Sequence, residues 1–418
     1  MLRSSFFIFL LLSAPVLSVE AQSFRAGAAV RNITPDPLLA VSGGVGTPEP
    51  ANRKAGDLFA RAVVFASGDQ KIAIVGIDNL GWPAALADRS RALIESIPAG
   101  QILIGATHTH SAPDAYGFPD QNGNVLADLD YLDWCVRQIA EAIKEAEKNL
   151  QPAGLKIAVG EAKGKIAYNY YAPQLYDPRC GVIQAIDQSD KVIATLVNYA
   201  IHPEVIGNSR GILSPDLCGP LYDRIESEVG GVAIFMNGAQ GGMVTADNRL
   251  PHGSEANDWQ ECVRIGELLA DQALDIIGKA PRQENPVLQC IAKDVAFPVD
   301  SEMMRTIIKH SPHGFALSTD HKITTRLNLV NLGSAQIITI PGEALPNIGY
   351  YLKRKMQAPH QFLFGLTNDA FGYILTKEDF NSFRRYDYIS RTSLGEMTGE
   401  IFIEEALEMI ESNPLAIK

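Results

Sequence analysis

The sequence lacks the features that mark several large protein classes. Its five cysteines are an odd number, and their spacings fit neither a disulfide framework nor a zinc knuckle. It has no internal repeat, no low-complexity tract and no Lys/Arg cluster. Acidic residues outnumber basic ones by 48 to 36, so the net negative charge argues against a nucleic-acid partner. With 46% hydrophobic residues, the chain is instead suited to a globular fold with a sizeable core.

Long hydrophobic runs are also scarce, and the one near the N-terminus fits an export signal. Arg3 precedes an apolar run from Phe6 to Leu17, and small residues at Val19 and Ala21 suit cleavage before Gln22. We therefore predict a signal peptide over residues 1–21 and a secreted or periplasmic protein; a short N-terminal anchor is the alternative. No later run reaches membrane-spanning length, so the mature chain is expected to have no transmembrane segment.

Strand-like and helix-like patterns alternate along the rest of the chain. They predict an α/β fold with mixed β-sheets flanked by helices, in a single domain over residues 22–418. Predicted strands cover residues 61–66, 71–78, 101–106, 192–200, 232–237, 287–298, 324–332, 335–340 and 361–366. Predicted helices cover residues 83–97, 128–149, 216–228, 258–277 and 393–410.

Two histidines directly follow an apolar strand and are the first candidates for a metal site. If the extended backbone continues, His108 and His110 point to the same face, because side chains alternate with period two. Two imidazoles at the mouth of a buried strand could form half of a metal site. The alternative is a pair of hydrogen-bonded structural histidines.

Two further residues lie at the ends of apolar strands. His202 ends the strand that begins near Val192, where Pro203 stops the ladder, although a lone histidine there is more often structural. Glu343 follows the hairpin strand and would need a cationic partner if it is buried. Taken by itself, Glu343 is better explained as an acid at the start of a helix. Tyr373 closes a polar loop that begins at Gly365, and a tyrosine in such a loop can simply pack.

These segments together resemble the neutral ceramidase family. Residues 107–113 (Thr-His-Thr-His-Ser-Ala-Pro) and 200–203 (Ala-Ile-His-Pro) are similar to two of its motifs. Pro341-Gly342-Glu343 and the loop at 365–373 resemble two later ones in the same order, and residues 29–35 resemble its opening segment. The resemblance covers the catalytic domain only, because the chain ends about where that domain does, without the family's further C-terminal β-domain.

The resemblance implies a catalytic zinc ion and roles for six residues. His108, His202, Glu343 and Tyr373 would hold Zn²⁺, with room for a water molecule. His110 would lie beside the metal or face the substrate. Tyr386 is similar to a family tyrosine that faces the substrate carbonyl, although its spacing differs slightly. Mixed nitrogen and oxygen ligands and a hydrolytic role favour zinc over manganese or iron.

The substrate-facing positions depart from the family. Val244 stands where the family has a serine, and valine can neither attack nor donate a hydrogen bond. Thr245 could replace that serine only if the loop shifts by one residue. Tyr170 stands where the family has an arginine.

The sequence therefore predicts an exported zinc-dependent hydrolase that cleaves an N-acyl amide bond of a ceramide-like lipid by attack of zinc-bound water. His110 or Tyr386 would stabilise the oxyanion and help deliver a proton. One alternative is a zinc hydrolase of another acyl amide or ester. A second is a non-catalytic protein that binds a lipid or glycan on the same fold.

Overall fold

The computed structural model describes residues 24–118, 122 and 124–415. The predicted signal peptide, residues 1–21, lies outside this part of the chain. Within it, no helix combines the length and the apolar composition needed to cross a bilayer.

The described residues form strands and helices in alternation. The strands are β1 Arg25–Asn32, β2 Val41–Ser42, β3 Arg53–Lys54, β4 Phe59–Ser67, β5 Gln70–Ile77, β6 Ile102–Ala106, β7 Ala112–Pro113, β8 Gln151–Glu161, β9 Ala167–Asn169, β10 Arg179–Asp187, β11 Val192–Tyr199, β12 Ile212–Leu213, β13 Val232–Asn237, β14 Val244–Ala246, β15 Arg282–Gln283, β16 Leu288–Pro298, β17 Lys322–Leu332, β18 Ala335–Thr339, β19 Glu343–Ala344, β20 His360–Phe364 and β21 Tyr373–Ile374. The helices are α1 Ala84–Arg91, α2 Leu129–Lys148, α3 Cys218–Val229, α4 Trp259–Gly278, α5 Glu302–His310, α6 Pro346–Lys355, α7 Asp387–Arg391 and α8 Thr398–Ser412.

Two mixed sheets form the centre of the molecule. The larger has the order β13-β11-β10-β8-β1-β4-β5-β6, with β15 paired to β8, and the smaller has the order β16-β17-β18-β20. Parallel pairs, β5 with β6, β11 with β13 and β18 with β20, occur beside antiparallel ones. The prediction of a mixed α/β fold is confirmed.

The two sheets pack face to face and are covered by helices on both outer faces. Residues such as Ile74 and Ile234 of the larger sheet share one buried cluster with Ile337 and Phe362 of the smaller. Helix α2 covers one half of the larger sheet's outer face, and α3 and α4 cover the other half. Helices α6 and α8 cover the smaller sheet. Strands buried on both faces explain the nearly continuous apolar runs in the sequence.

Two predicted helices are longer than the observed ones. Helix α1 ends at Arg91, and the turns that follow still bury Ile94 and Ile97. Buried apolar residues at these spacings are therefore no proof of a helix. Helix α8 begins at Thr398 rather than at residue 393. The carbonyl of Leu394 accepts hydrogen bonds from the backbone N–H groups of Asp300 and Ser301, and this long-range contact holds residues 393–397 outside the helix.

Candidate active site

The first two histidines follow β6 but do not continue its extended backbone. His108 has a positive φ of 74°, which is uncommon outside glycine. The expectation that the strand continues and directs both side chains to one face is therefore wrong. The rings nevertheless meet, with centroids of His108 and His110 4.8 Å apart. Nδ1 of His108 donates to the carbonyl oxygen of Leu80. That hydrogen bond turns Nε2 of His108 toward the site.

His202 reaches the same place from the end of β11. Its ring centroid lies 4.7 Å from that of His108. The carbonyl oxygen of Val244 accepts a hydrogen bond from the backbone N–H of His202 and another, 2.8 Å long, from its Nδ1. Histidines that bind metals usually donate their second ring N–H to a carbonyl or carboxylate in this way.

Asn237, at the end of β13, connects the two chain segments that carry these histidines. Its Nδ2 donates to the carbonyl oxygens of Thr107 at 3.0 Å and Ile201 at 2.7 Å. Its Oδ1 accepts from the backbone N–H of Ile201 at 3.1 Å. The sequence analysis missed this residue, since nothing local indicates that an asparagine at a strand end connects two distant loops.

Glu343 completes a buried set of nitrogen and oxygen atoms. It lies in β19, three residues before α6 begins at Pro346, so it does not occupy the first turn of that helix. Its Oε2 lies 3.1 Å from Nε2 of His202 and 3.5 Å from Nε2 of His108. Burial would raise the pKa of Glu343, but His108 and His202 lower it below its ordinary value. A buried carboxylate of this kind needs a cationic partner.

The protonation of His202 reflects the same contact. Burial alone would lower the pKa of this imidazole, but the hydrogen bond to Glu343 and the charge of Glu204 raise it to about 9. The contact with Glu343 thus favours the positively charged imidazole, and a metal cation bound by the two residues would replace that charge.

Tyr373 lies beside Glu343, because β19 and β21 pair in register at these two residues. Its side chain is buried, and its hydroxyl donates to Sδ of Met243 at 3.6 Å. Tyr386 lies apart, since its ring packs against those of Tyr171 and Phe383. Among the described residues, Tyr388 lines the cavity at the site and Tyr386 does not.

His110 has a different environment from the other two histidines. Its Nδ1 lies 3.4 Å from Oε2 of Glu204, and its Nε2 is buried with no hydrogen-bond partner among the described residues. Burial lowers the pKa of His110 to about 3, so the ring is neutral at pH 7. Glu204 was not singled out from the sequence, because it is one glutamate among many and its partner lies far away in the chain.

The loop that departs from the family pattern places Val244 and Thr245 on opposite sides of β14. The Val244 side chain is fully buried in the core under α3 and α4, so only its carbonyl serves the site. The Thr245 side chain instead lies beside the Glu204 carboxylate, whose pKa it helps to lower. Tyr170 is 60% exposed and lies outside the cavity.

A largely apolar cavity opens beside the histidines. One wall is the apolar face of α5, with Met304, Ile307 and Ile308. The helical spacing of those three residues is the sequence signal that could have predicted this wall. The other lining residues are Gly43, Gly44, Val45, Leu80, Pro83, His108, His110, Tyr116, Phe118, Phe315, Ile323, Glu343, Asp369, Ala370, Phe371, Gly372, Tyr373, Tyr388 and Thr392.

Two overlapping sets of side chains could hold a metal ion here. Ligand atoms of His108, His110 and His202 lie within 4.8 Å of one another. The alternative replaces His110 by Glu343, whose carboxylate approaches both Nε2 atoms. We favour this second set because His108 and His202 are both fixed by backbone carbonyls, and because it neutralises a buried carboxylate.

Comparisons with solved structures identify proteins that share this fold. No family model matches the sequence, and no curated protein matches it. The solved structure of neutral ceramidase from Pseudomonas aeruginosa has a TM-score of 0.74 and 17% identity, over 95% of this chain and 76% of that chain. A ceramidase complexed with C2 has a TM-score of 0.73 and 18% identity, over 95% of this chain and 77% of that one. The chain has the neutral ceramidase fold.

Proposed function

We propose that this chain is an exported zinc-dependent hydrolase, with one catalytic domain over residues 22–418, that cleaves the N-acyl amide bond of a ceramide-like lipid. The observation that carries the proposal is the convergence of two imidazole Nε2 atoms on the buried Glu343 carboxylate at the end of an apolar cavity. Buried groups of this kind, gathered in a cleft, are more often present for chemistry than for structure.

The residues present fit a zinc ion. His108, His202 and Glu343 supply nitrogen and oxygen donors of the kind found in hydrolytic zinc sites, and Tyr373 is the fourth candidate. When bound, zinc would polarise the substrate carbonyl and lower the pKa of a bound water to about 7.

The remaining side chains supply binding and proton transfer. The α5 wall holds the acyl chain and excludes water from it. His110, through Nε2, accepts a proton from the attacking water and returns it to the leaving nitrogen. A C–O bond forms and the C–N bond breaks, so the products are a carboxylic acid and an amine. Tyr388 donates a hydrogen bond to the developing oxyanion; it takes the role first assigned to Tyr386 because it lines the cavity.

The test is metal content and hydrolysis measured on the same purified protein. We expect about one zinc per chain, as a single catalytic site requires, and release of fatty acid from an N-acyl sphingosine that stops with a chelator and returns with zinc. His108→Ala should lose both the metal and the activity. The matched control is His252→Ala, since His252 lies exposed on a loop. Full activity of His108→Ala would refute the proposed metal site.

A second candidate is hydrolysis of a different acyl amide or ester. It is favoured by Val244, whose side chain is buried in the core, and by Tyr170, which cannot replace a basic contact to the substrate. Short N-acyl amines and acyl esters should be assayed beside ceramide. Preference for ceramide would eliminate this candidate, and ligand binding without any turnover would indicate a non-catalytic binder.

A further inference from the structure

We infer that Glu204 is a positioning residue that fixes the orientation and the tautomer of His110, and that this pair performs the proton transfer in a site whose loop offers no serine. The inference rests on the proposed function. It assigns a role to a residue that neither the sequence motifs nor the proposed zinc ligands include.

The first observation is the asymmetry of the His110 ring. Oε2 of Glu204 faces Nδ1 at 3.4 Å, while Nε2 has no hydrogen-bond partner among the residues that the structure describes and is buried beside His108 and His202. A carboxylate at Nδ1 favours the tautomer with the proton on Nδ1 and a free lone pair on Nε2. The contact is longer than a typical hydrogen bond, as catalytic contacts often are before substrate binds.

The second observation is that the carboxylate is itself held in place. The backbone N–H of Glu204 donates to the carbonyl of His202 at 3.0 Å, and Thr245, which forms a β-bridge with His202, lies beside the carboxylate. Among the three clustered histidines, only His110 has a ring nitrogen within 4 Å of this carboxylate. Glu204 therefore contacts His110 directly, whereas it affects His202 only through its charge.

The third observation is that the chain segments carrying His110 and Glu204 are hydrogen-bonded to each other and to neighbouring loops. The N–H of His110 donates to the carbonyl of Pro203, directly before Glu204. On either side of His110, the Thr109 hydroxyl donates to the carbonyl of Ser214 at 2.8 Å and the Ser111 hydroxyl to that of Gly207 at 2.9 Å. Rigid support of this kind is what a pre-organised catalytic pair requires.

The buried Val244 side chain explains why such a pair is needed. With no hydroxyl at that position, water must be the nucleophile, and one of its protons needs an acceptor. His110 accepts this proton on Nε2, the imidazolium is stabilised by Glu204, and the same proton then passes to the leaving nitrogen as the C–N bond breaks. Glu204 remains a carboxylate throughout.

The experiment compares Glu204→Ala and Glu204→Gln with the wild type and with Glu95→Gln, a surface control. We expect Glu204→Ala to lower kcat for N-acyl sphingosine about 10- to 100-fold, the usual cost of losing a residue that orients a histidine, with KM changed less than about twofold. Glu204→Gln, whose amide oxygen can still face Nδ1, should retain an intermediate kcat. Both variants should keep the wild-type zinc content and thermal midpoint.

A readout independent of activity is the ¹⁵N spectrum of histidine-labelled, zinc-loaded protein, with the His110 signals assigned by their loss in His110→Ala. Wild type should show the Nδ1–H tautomer of His110, and Glu204→Ala should show a mixture. A wild-type Nε2–H tautomer, an unchanged kcat, or loss of zinc in parallel with kcat would each overturn the inference. If wild type hydrolyses no acyl amide, the proposed function fails, but the tautomer still decides whether Glu204 orients His110.

Discussion

The two sides of the candidate site are built differently. On the metal side, His108, His202 and Glu343 are nearly fully buried, and backbone carbonyls or a neighbouring strand fix each of them. At the positions that the resemblance assigns to the substrate side, Tyr170 is largely exposed and Tyr386 is only partly buried, and neither lines the cavity. Buried polar groups must each find a partner, whereas exposed ones can change at little cost. The metal side is therefore constrained by the fold, and the substrate side is where the chain departs from the family it resembles.

The largest effect is expected from substituting Glu343, the carboxylate of the metal side. Glu343→Gln keeps the shape of the side chain but removes the charge that a zinc ion needs as a partner. We expect zinc affinity and kcat/KM to fall by about 10³-fold, beyond the 10- to 100-fold cost typical of supporting residues. Isothermal titration with zinc and amide hydrolysis measure the two quantities. Wild-type zinc affinity in this variant would favour the set of three histidines.

A buried carboxylate next to the metal side should affect the pH dependence of stability. Ile77 and Asn79, on either side of Asp78, accept hydrogen bonds from the backbone N–H groups of Thr107 and His108. Asp78 accepts hydrogen bonds from the backbone of Phe59 and from the Tyr222 hydroxyl, and burial raises its pKa from 3.8 to about 6. The folded state thus binds this proton more tightly than the unfolded state. The stabilisation it gives is complete below pH 3.8 and is lost as the pH rises through about 6.

Asp78→Asn should remove this contribution, because the amide can still accept from Phe59 and can donate to the rotatable Tyr222 hydroxyl. The free energy of unfolding of the wild type should fall, between pH 4 and pH 7, by about 3 kcal/mol more than that of the variant. Urea titrations at several pH values check the difference. Parallel pH profiles for the two proteins would show that Asp78 does not titrate in this range.

Substitutions of Tyr388 and Tyr386 test which of the two hydroxyls donates to the developing oxyanion. Tyr388→Phe removes a hydroxyl from a residue that lines the cavity and should lower kcat about 10²-fold, as loss of an oxyanion donor does. Tyr386→Phe is the matched variant and should change kcat less than about threefold. The opposite order of effects would return the oxyanion role to Tyr386.

The α5 wall should separate long from short acyl chains. Ile307→Ser replaces an apolar wall residue that is only partly buried, so it should leave the fold intact. We expect kcat/KM for a long-chain amide to fall about 10- to 30-fold, from roughly 2 kcal/mol of lost apolar contact, with little change for an acetyl amide. An equal loss for both substrates would mean that the acyl chain does not bind against α5.

The smallest effect is expected at the exposed rim. Tyr170→Ala should change the free energy of unfolding by less than about 0.5 kcal/mol and kcat/KM for ceramide by less than about threefold. Thermal melts and hydrolysis rates measure both. A large loss of activity would show that Tyr170 contacts the substrate and that the substrate side is constrained as the metal side is.

The sequence by itself determined the class of fold and the segments that carry the site. Apolar runs set the central strands, and His108, His202 and Glu343 each follow such a run, but it was the resemblance to a known family that named them together as ligands. It also indicated that Val244 offers no reactive group, and in the structure this side chain is buried in the core.

Only the tertiary structure decided which atoms meet. Hydrogen bonds to Leu80 and Val244 choose the ring nitrogen that each histidine presents, and the Glu343 carboxylate reaches His202 across 141 residues of chain. The position of Tyr388 at the cavity, the approach of Glu204 to His110 and the α5 wall likewise depend on long-range contacts. Propensity and periodicity act over a few neighbouring residues, whereas a site is assembled where distant segments pack, and that packing follows from the whole chain.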